Sequence, residues 1–339
     1  MPKRGRDCAM TAAAMRAPSP PADAGATLPP DYLVLGRASS ENFPVASRFL
    51  PSELRSDLMA LYGWARLVDE LGDDFAGDRL GALAEVERQL HAALGDATAD
   101  ASRAGLHPLV ARMAGTVLHL QLPAQPLFDL VQANRQDQTV KRYETFDELV
   151  AYCKLSANPV GRMVLAIFGV ATAQRTAWSD DICTALQLVE HCQDVAEDAI
   201  VGRVYLPLVD LARFGVSVEE LVPPPVSYAN RGKRGAPGGA SATCRALLAF
   251  ESARARRILE AGTPLVASLH GRLRFAVASF VAGGHAALDA LAALDFDVYA
   301  DTAQPAPSHF VSHLGRLLVR SSGWPTPLRQ RSETQGAAS

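Results

Sequence analysis

No two of the five cysteines (Cys8, Cys153, Cys183, Cys192 and Cys244) form a Cys-x-x-Cys pair, and their odd number argues against a disulfide framework. A reduced, cytoplasmic protein is the natural reading. No group of Cys and His has zinc spacing, and no glycine-rich dinucleotide fingerprint occurs. Net charge is −3, from 33 Lys+Arg against 36 Asp+Glu, which gives no basis for nucleic-acid binding. No stretch alternates strictly enough to propose a sheet, and no repeat has solenoid length. No apolar run of about 18 residues is free of charge, so no membrane-spanning helix is expected. Phe275 to Leu294 comes closest, but His285 and Asp289 interrupt it and Gly283-Gly284 weakens it; it reads as a buried core helix.

What is there is helical period almost everywhere, in a chain of 339 residues of which 48% are hydrophobic, enough for a sizeable core. The fold class is all-α. The apolar spacing predicts helices over about 52–75, 79–95, 105–121, 124–137, 145–170, 176–200, 242–261 and 264–293. Pro51-Ser52 before Glu53 suits a helix entry, and Pro123 separates two helices. Residues 1–30, rich in Ala, Pro and Arg, read as a disordered tail without the apolar core of a secretory signal. Residues 31–303 then form one domain, and 304–339 lose periodicity and read as a loosely ordered tail. Inside the domain, the Pro/Gly-rich stretch at about 223–241, with Arg231, Lys233 and Arg234, is a lid or an insertion; insertion is the preferred reading.

Two acidic motifs stand about 125 residues apart: Asp69-Glu70-Leu71-Gly72-Asp73-Asp74 and Asp194-Val195-Ala196-Glu197-Asp198. Carboxylates at i and i+4 share a helix face at about 3.6 residues per turn. Two such helices facing each other would line a cavity with at least four carboxylates, which repel unless cations fill it. Oxygen ligands of this kind suit Mg²⁺, which pairs a few carboxylates with phosphate oxygens and water. Arg66, three residues before Asp69, shares that face and could bind a phosphate oxygen. The blander reading of the first motif is an exposed face with local ion pairs. In the second, Gln187, Glu190, Asp194 and Asp198 step down one face at i, i+3, i+7 and i+11, polar where a core helix should be apolar. Such a line needs partners, and a metal–phosphate cluster would supply them. His191 lies beside this face and reads as a packing contact; His285 reads as a core or rim histidine.

The wider pattern is Ser40-x-Asn42-Phe43, Arg66-x-x-Asp69-x-x-x-Asp73, Tyr152-Cys153, and Gln193-Asp194-Val195-Ala196-Glu197-Asp198 followed by Gly202-Arg203-Val204-Tyr205-Leu206-Pro207. It resembles the squalene/phytoene synthase family from about Ser39 to Tyr299. The segments Glu41 to Ser47 and Tyr152 to Arg162 resemble its bacterial hopanoid-pathway branch, called HpnC, whose members are named squalene or hydroxysqualene synthase. The resemblance implies the all-α isoprenoid synthase fold, with helices around a central hydrophobic cavity. It also implies ionisation of presqualene diphosphate, a water quench to hydroxysqualene, and release of diphosphate.

On that reading Mg²⁺ would be held by Asp69, Asp73, Asp194 and Asp198, with Glu190 beside them. Arg66, Arg48 and Arg203 would contact diphosphate. Ser40, Asn42, Phe43, Tyr62, Ser156, Val160 and Gln187 fall at substrate positions, with Leu165 and Phe168 as further candidates for an apolar lining; ordinary core packing is the alternative for the apolar ones. Tyr152 would stabilise a cation or guide water, and Asn158 could position a water, although Asn158-Pro159 also reads as a helix break. Two positions depart from the family: Glu190 stands where Asn is usual, adding charge, and Asp69-Glu70 replaces the commoner Asp-Asp. The nearest alternative is a head-to-head synthase making presqualene diphosphate, squalene or phytoene. A different class is a non-catalytic helical assembly factor of the same fold. A prenyl diphosphate is thus the expected partner, peripheral membrane contact through the basic loop is plausible, and the oligomeric state stays open.

Overall fold

Where apolar residues recur at helical spacing the chain is helical, and the breaks between helices decide where the acidic residues sit. The structure, a computed structural model, describes residues 28–31, 52–95, 105–223 and 239–320. Ser40, Asn42, Phe43 and Arg48 lie outside the described residues, as do most of the expected N-terminal tail and residues 224–238 of the basic loop.

The helices are α1 (Ser52–Asp73), α2 (Arg79–Gly95), α3 (Pro108–Leu120), α4 (Gln125–Thr139), α5 (Phe146–Ser156), α6 (Asn158–Ile167), α7 (Ala173–Gln193), α8 (Val195–Ile200), α9 (Leu208–Phe214), α10 (Ala242–Gly262), α11 (Pro264–Ser268), α12 (Gly271–Ala293) and α13 (Pro307–Arg320), with one 3₁₀ turn at Glu219–Leu221. Among the described residues there is no strand, only an isolated parallel bridge between Arg142 and Val204. Several starts carry side-chain caps: Thr145, Thr172 and Ser241 accept hydrogen bonds from the amides of Glu148, Arg175 and Cys244.

Three expected helices are interrupted. The 145–170 helix breaks at Ala157, because Pro159 has no N–H to continue the ladder; it restarts with Pro159 in the first turn of α6, where no donor is needed. The 176–200 helix breaks at Asp194 (φ −99°, ψ 11°), and the 264–293 helix is split by the extended Leu269-His270.

The expected loose C-terminal tail is also corrected in part, since Pro307–Arg320 is a helix. Leu314, Leu317 and Leu318 dock it against the core that includes α12, and His313 Nε2 lies 2.7 Å from Asp289 Oδ2. A helix this short is marginal alone and owes its stability to that docking, which periodicity does not reveal.

Three adjoining cores build the molecule. One gathers α1 to α4 with Met163 and Ile167 of α6, a second α5, α7, α10 and α12, and a third the α8–α9 region with α10. Helices α1 and α7 both pack on α6, which brings the two acidic segments to one region. Helix α12 is long and apolar enough to cross a membrane, but 56% of its most apolar stretch is buried inside the fold, as expected of a core helix.

Candidate functional site

The first acidic motif ends α1. Asp69 is half-buried, and burial pushes its carboxyl up to about 7; the Asn134 amide, 3.4 Å away, and Arg66 oppose the shift, while Asp73 and Glu190 add to it. Arg66 also lies 3.7 Å from Glu70, one turn further on. Asp73 is exposed and accepts a hydrogen bond of 2.9 Å from Arg203.

This corner depends on Gly72. A Cβ there would collide with the Asn134 side chain, and the Gly72 carbonyl accepts from Gln138 at 3.0 Å. Gly72→Ala is therefore expected to cost about 1–3 kcal/mol by overpacking and to push Asn134 away from Asp69. A urea titration checks it, and an unchanged midpoint would show that Asn134 yields freely.

The second motif straddles the break between α7 and α8. The Asp198 amide still bonds to the Asp194 carbonyl at 2.8 Å, so the one-turn spacing of the two carboxylates survives the kink. Burial pushes Asp198 up to about 7, with Asp194, Glu190 and Glu197 adding to the shift and Arg203 opposing it. Glu190 is raised by the surrounding protein and by Asp194, although much of its surface is open to the cavity that it lines.

The motifs are therefore coupled: Asp69 responds to Glu190, and Arg203 serves both Asp73 and Asp198. The coupling stops short of a closed cage. Among the described residues no three Asp, Glu, His or Cys side chains converge tightly enough to hold a metal ion. The cavity with at least four converging carboxylates expected from sequence is corrected to a looser cleft, in which Arg203 takes one ligand position on Asp73. The donor set still fits a hard cation, because it is all oxygen and two of its carboxyls are strained toward protonation.

An apolar cavity of about 250 Å³ opens between α6, α7, α11 and α12, just below the usual range for ligand pockets of roughly 300–1,000 Å³. Val160, Gly161, Val164, Leu165, Leu186 and Phe280 are among its walls, and Gln187 and Glu190 bring the acidic face of α7 into it. Of the residues proposed from sequence, Val160, Leu165 and Gln187 line this cavity, while Tyr62 and Phe168 are not among the lining residues. Neither is Asn158. It is buried between α6 and α7, and its Oδ1 accepts from the Thr184 hydroxyl at 3.0 Å, so its carbonyl serves helix packing. Ser156 is also absent from the lining, and its hydroxyl oxygen is buried without a hydrogen-bond partner.

Beside the acidic cleft stands an aromatic wall. Tyr152 and Tyr205 have ring centroids 5.6 Å apart, Tyr143 lies 5.4 Å from Tyr152, and His191 stacks on Tyr205 at 3.9 Å. Burial keeps His191 neutral, with its pKa pushed down to about 3. Tyr152 donates to Asp137 Oδ2 at 2.6 Å and Tyr205 to Asp137 Oδ1 at 3.2 Å. Burial also raises the Asp137 carboxyl, against the pull of the two phenols and Arg203. Exposed Lys141 adds a cation near Arg203, Arg79, Asp73 and Asp137.

Asn134, Asp137, Lys141 and Tyr205 were not singled out from sequence as site residues. A signal for two of them existed: Asn134 and Asp137 are polar residues three apart on the buried side of α4, the same anomaly that drew attention to α7.

The profile of the family described as Squalene/phytoene synthase matches residues 36–314. Hydroxysqualene synthase of Sinorhizobium fredii is 33% identical over 244 residues, spanning 70% of this chain and 74% of that protein. Hydroxysqualene synthase of Zymomonas mobilis is 33% identical over 195 residues, 56% of this chain and 62% of that protein, so the match spans less than two thirds of the relative. Among solved structures, squalene synthase HpnC from Alicyclobacillus acidocaldarius superposes with a TM-score of 0.67 at 35% identity, covering 79% of this chain and 95% of that one. A dehydrosqualene synthase superposes with a TM-score of 0.70 at 22% identity over 87% and 96% of the two chains, a likeness of fold.

Proposed function

Because this chain belongs to the squalene/phytoene synthase family of head-to-head prenyl synthases, we propose that it acts as a hydroxysqualene synthase, converting presqualene diphosphate and water into hydroxysqualene and diphosphate. One observation carries the reading: an apolar cavity meets the acidic face of α7 at Gln187 and Glu190, and that face is coupled through Glu190 and Arg203 to Asp69 and Asp73. A substrate with a charged head and a hydrocarbon body has a place for each.

Mg²⁺ bound at Asp69, Asp73, Asp194 and Asp198 would supply the positive charge that a departing diphosphate requires. The chain's own part is positioning. Arg203, Arg66 and Lys141 stand where they can donate charge-assisted hydrogen bonds to diphosphate oxygens, strongest as negative charge develops. The apolar walls from Val160 to Leu186 hold the hydrocarbon and keep bulk water from the cation. Tyr152 and Tyr205 offer electron-rich rings close to the cleft. The resemblance of the segments Glu41 to Ser47 and Tyr152 to Arg162 to the HpnC branch favours this reaction over the condensing alternatives, which use the same carboxylates.

The test is incubation with presqualene diphosphate and Mg²⁺, with and without NADPH, followed by product identification. Hydroxysqualene formed without NADPH is the expected result. Conversion only of farnesyl diphosphate, into presqualene diphosphate, would overturn the reading.

A further inference from the structure

The aromatic wall is organised by one residue outside both acidic motifs. Asp137 sits near the end of α4, is 7% exposed, and gives each carboxylate oxygen to a different phenol: Oδ2 to Tyr152 of α5 and Oδ1 to Tyr205 after α8. It thereby ties α4 to the next helix and to a segment 68 residues further on. The 2.6 Å contact with Tyr152 is in the range of a strong, charge-assisted O–H···O⁻ bond. Tyr143 completes the wall from the far side, its own hydroxyl taking a 3.2 Å contact with Gln136. The wall adjoins the acidic cleft, since Asp137 responds to Asp73 and Arg203, and Tyr205 responds to Asp198.

We infer that Asp137 is a positioning residue for the reaction: it pins the hydroxyl hydrogens of Tyr152 and Tyr205 on its carboxylate, so that neither phenol presents a free O–H beside the cleft. The inference rests on the reading of the site as a place where a prenyl diphosphate ionises. A carbocation born beside a phenol whose O–H is free to turn can be trapped or can exchange a proton. A phenol committed to a carboxylate has no hydrogen to give. Asp137 touches no reacting atom and acts only through the two tyrosines.

Asp137→Asn tests this. Asn keeps one carbonyl acceptor but faces the second phenol with a donor, so one hydroxyl must turn. Turnover is expected to fall about 10- to 100-fold in kcat, with KM within about threefold, and the product mixture to broaden toward elimination products and other alcohols. Tyr152→Phe added to Asp137→Asn should lower kcat by less than about threefold beyond the worse single variant, because the residues act as one unit. Circular dichroism and thermal melting establish that the variants fold.

A folded Asp137→Asn enzyme with kcat and products unchanged, a loss confined to KM, or independent effects of the two substitutions would each overturn the inference. If the wild-type enzyme makes a different prenyl product, the functional reading fails, but the same ratios on that product still judge Asp137. A readout independent of turnover is the ¹³Cζ resonances of the tyrosines: Asp137→Asn should shift two of them, assigned with the Tyr152→Phe and Tyr205→Phe variants, and unchanged resonances would overturn the inference.

Discussion

Replacing Asp69 with Asn is expected to remove nearly all metal-supported turnover while making the metal-free protein more stable at about pH 8. Both effects come from one cause. Asp69 is held among protein atoms within reach of Asp73 and Glu190, and its carboxyl is pushed up to about 7 from an ordinary 3.8. Below about pH 4 both folded and unfolded states carry the proton, and folding is not penalised. As pH rises, the unfolded chain ionises first and the folded state lags, so stability is lost until the folded carboxyl ionises near 7. The whole penalty is on the order of a few kcal/mol, less whatever the exposed rim of the cleft screens.

Asn keeps the carbonyl that faces the Asn134 amide and removes the charge, which should weaken the decline of stability with pH without abolishing it, because Asp198 is raised in the same way. On the proposed function the variant also lacks one carboxylate for Mg²⁺, which should lower kcat by about 10³-fold. Urea titrations with chelator across the pH range, set beside turnover with Mg²⁺, check both halves. A variant whose stability falls with pH as steeply as wild type would place the strained carboxyl elsewhere, and retained turnover would remove Asp69 from the reaction.

Replacing Arg203 with Ala should be the second most damaging change. Burial works against the charge of this guanidinium, yet Tyr205, Asp73 and Asp137 together hold its pKa far above the ordinary value. It reaches the first motif from just beyond the second, through its 2.9 Å bond to Asp73, and it tempers Asp137 and Asp198 as well. The Asp73 pair alone is half exposed and contributes little to stability. The cost of Ala lies instead in removing the charge that offsets the burial of Asp137 and of the half-buried Asp198.

Turnover should fall about 10²- to 10³-fold, because on the proposed function a donor to the departing diphosphate would be gone. The metal-free protein should melt at lower temperature near neutral pH, the reverse of the Asp69 variant. Lys at this position should recover part of the charge but not the planar, several-donor guanidinium. A kcat/KM within about threefold of wild type would remove Arg203 from the substrate site.

The all-α class, the order of the helices and the two carboxylate pairs were legible in the amino-acid order, because each rests on local periodicity: apolar residues at helical spacing, acids one turn apart. The polar line from Gln187 to Asp198 was legible as an anomaly on an otherwise apolar helix. What local spacing could not show is which polar residue meets which. The kink at Asp194, the turn of Asn158 toward Thr184 and the docking of α13 against α12 follow from packing between segments far apart in sequence.

The same division runs through the site. Residue order alone placed Asp69, Asp73, Asp194 and Asp198 on two helix faces and so determined that the protein carries two acidic ladders. Only the tertiary structure decided that Glu190 couples one ladder to the other, that Arg203 occupies Asp73, and that Asp137 ties Tyr152 to Tyr205. The physical reason is range. A helix face is set by neighbours within a turn, whereas a charge or a hydroxyl is satisfied by whatever the fold brings within about 3 Å, and that partner can lie anywhere along the chain.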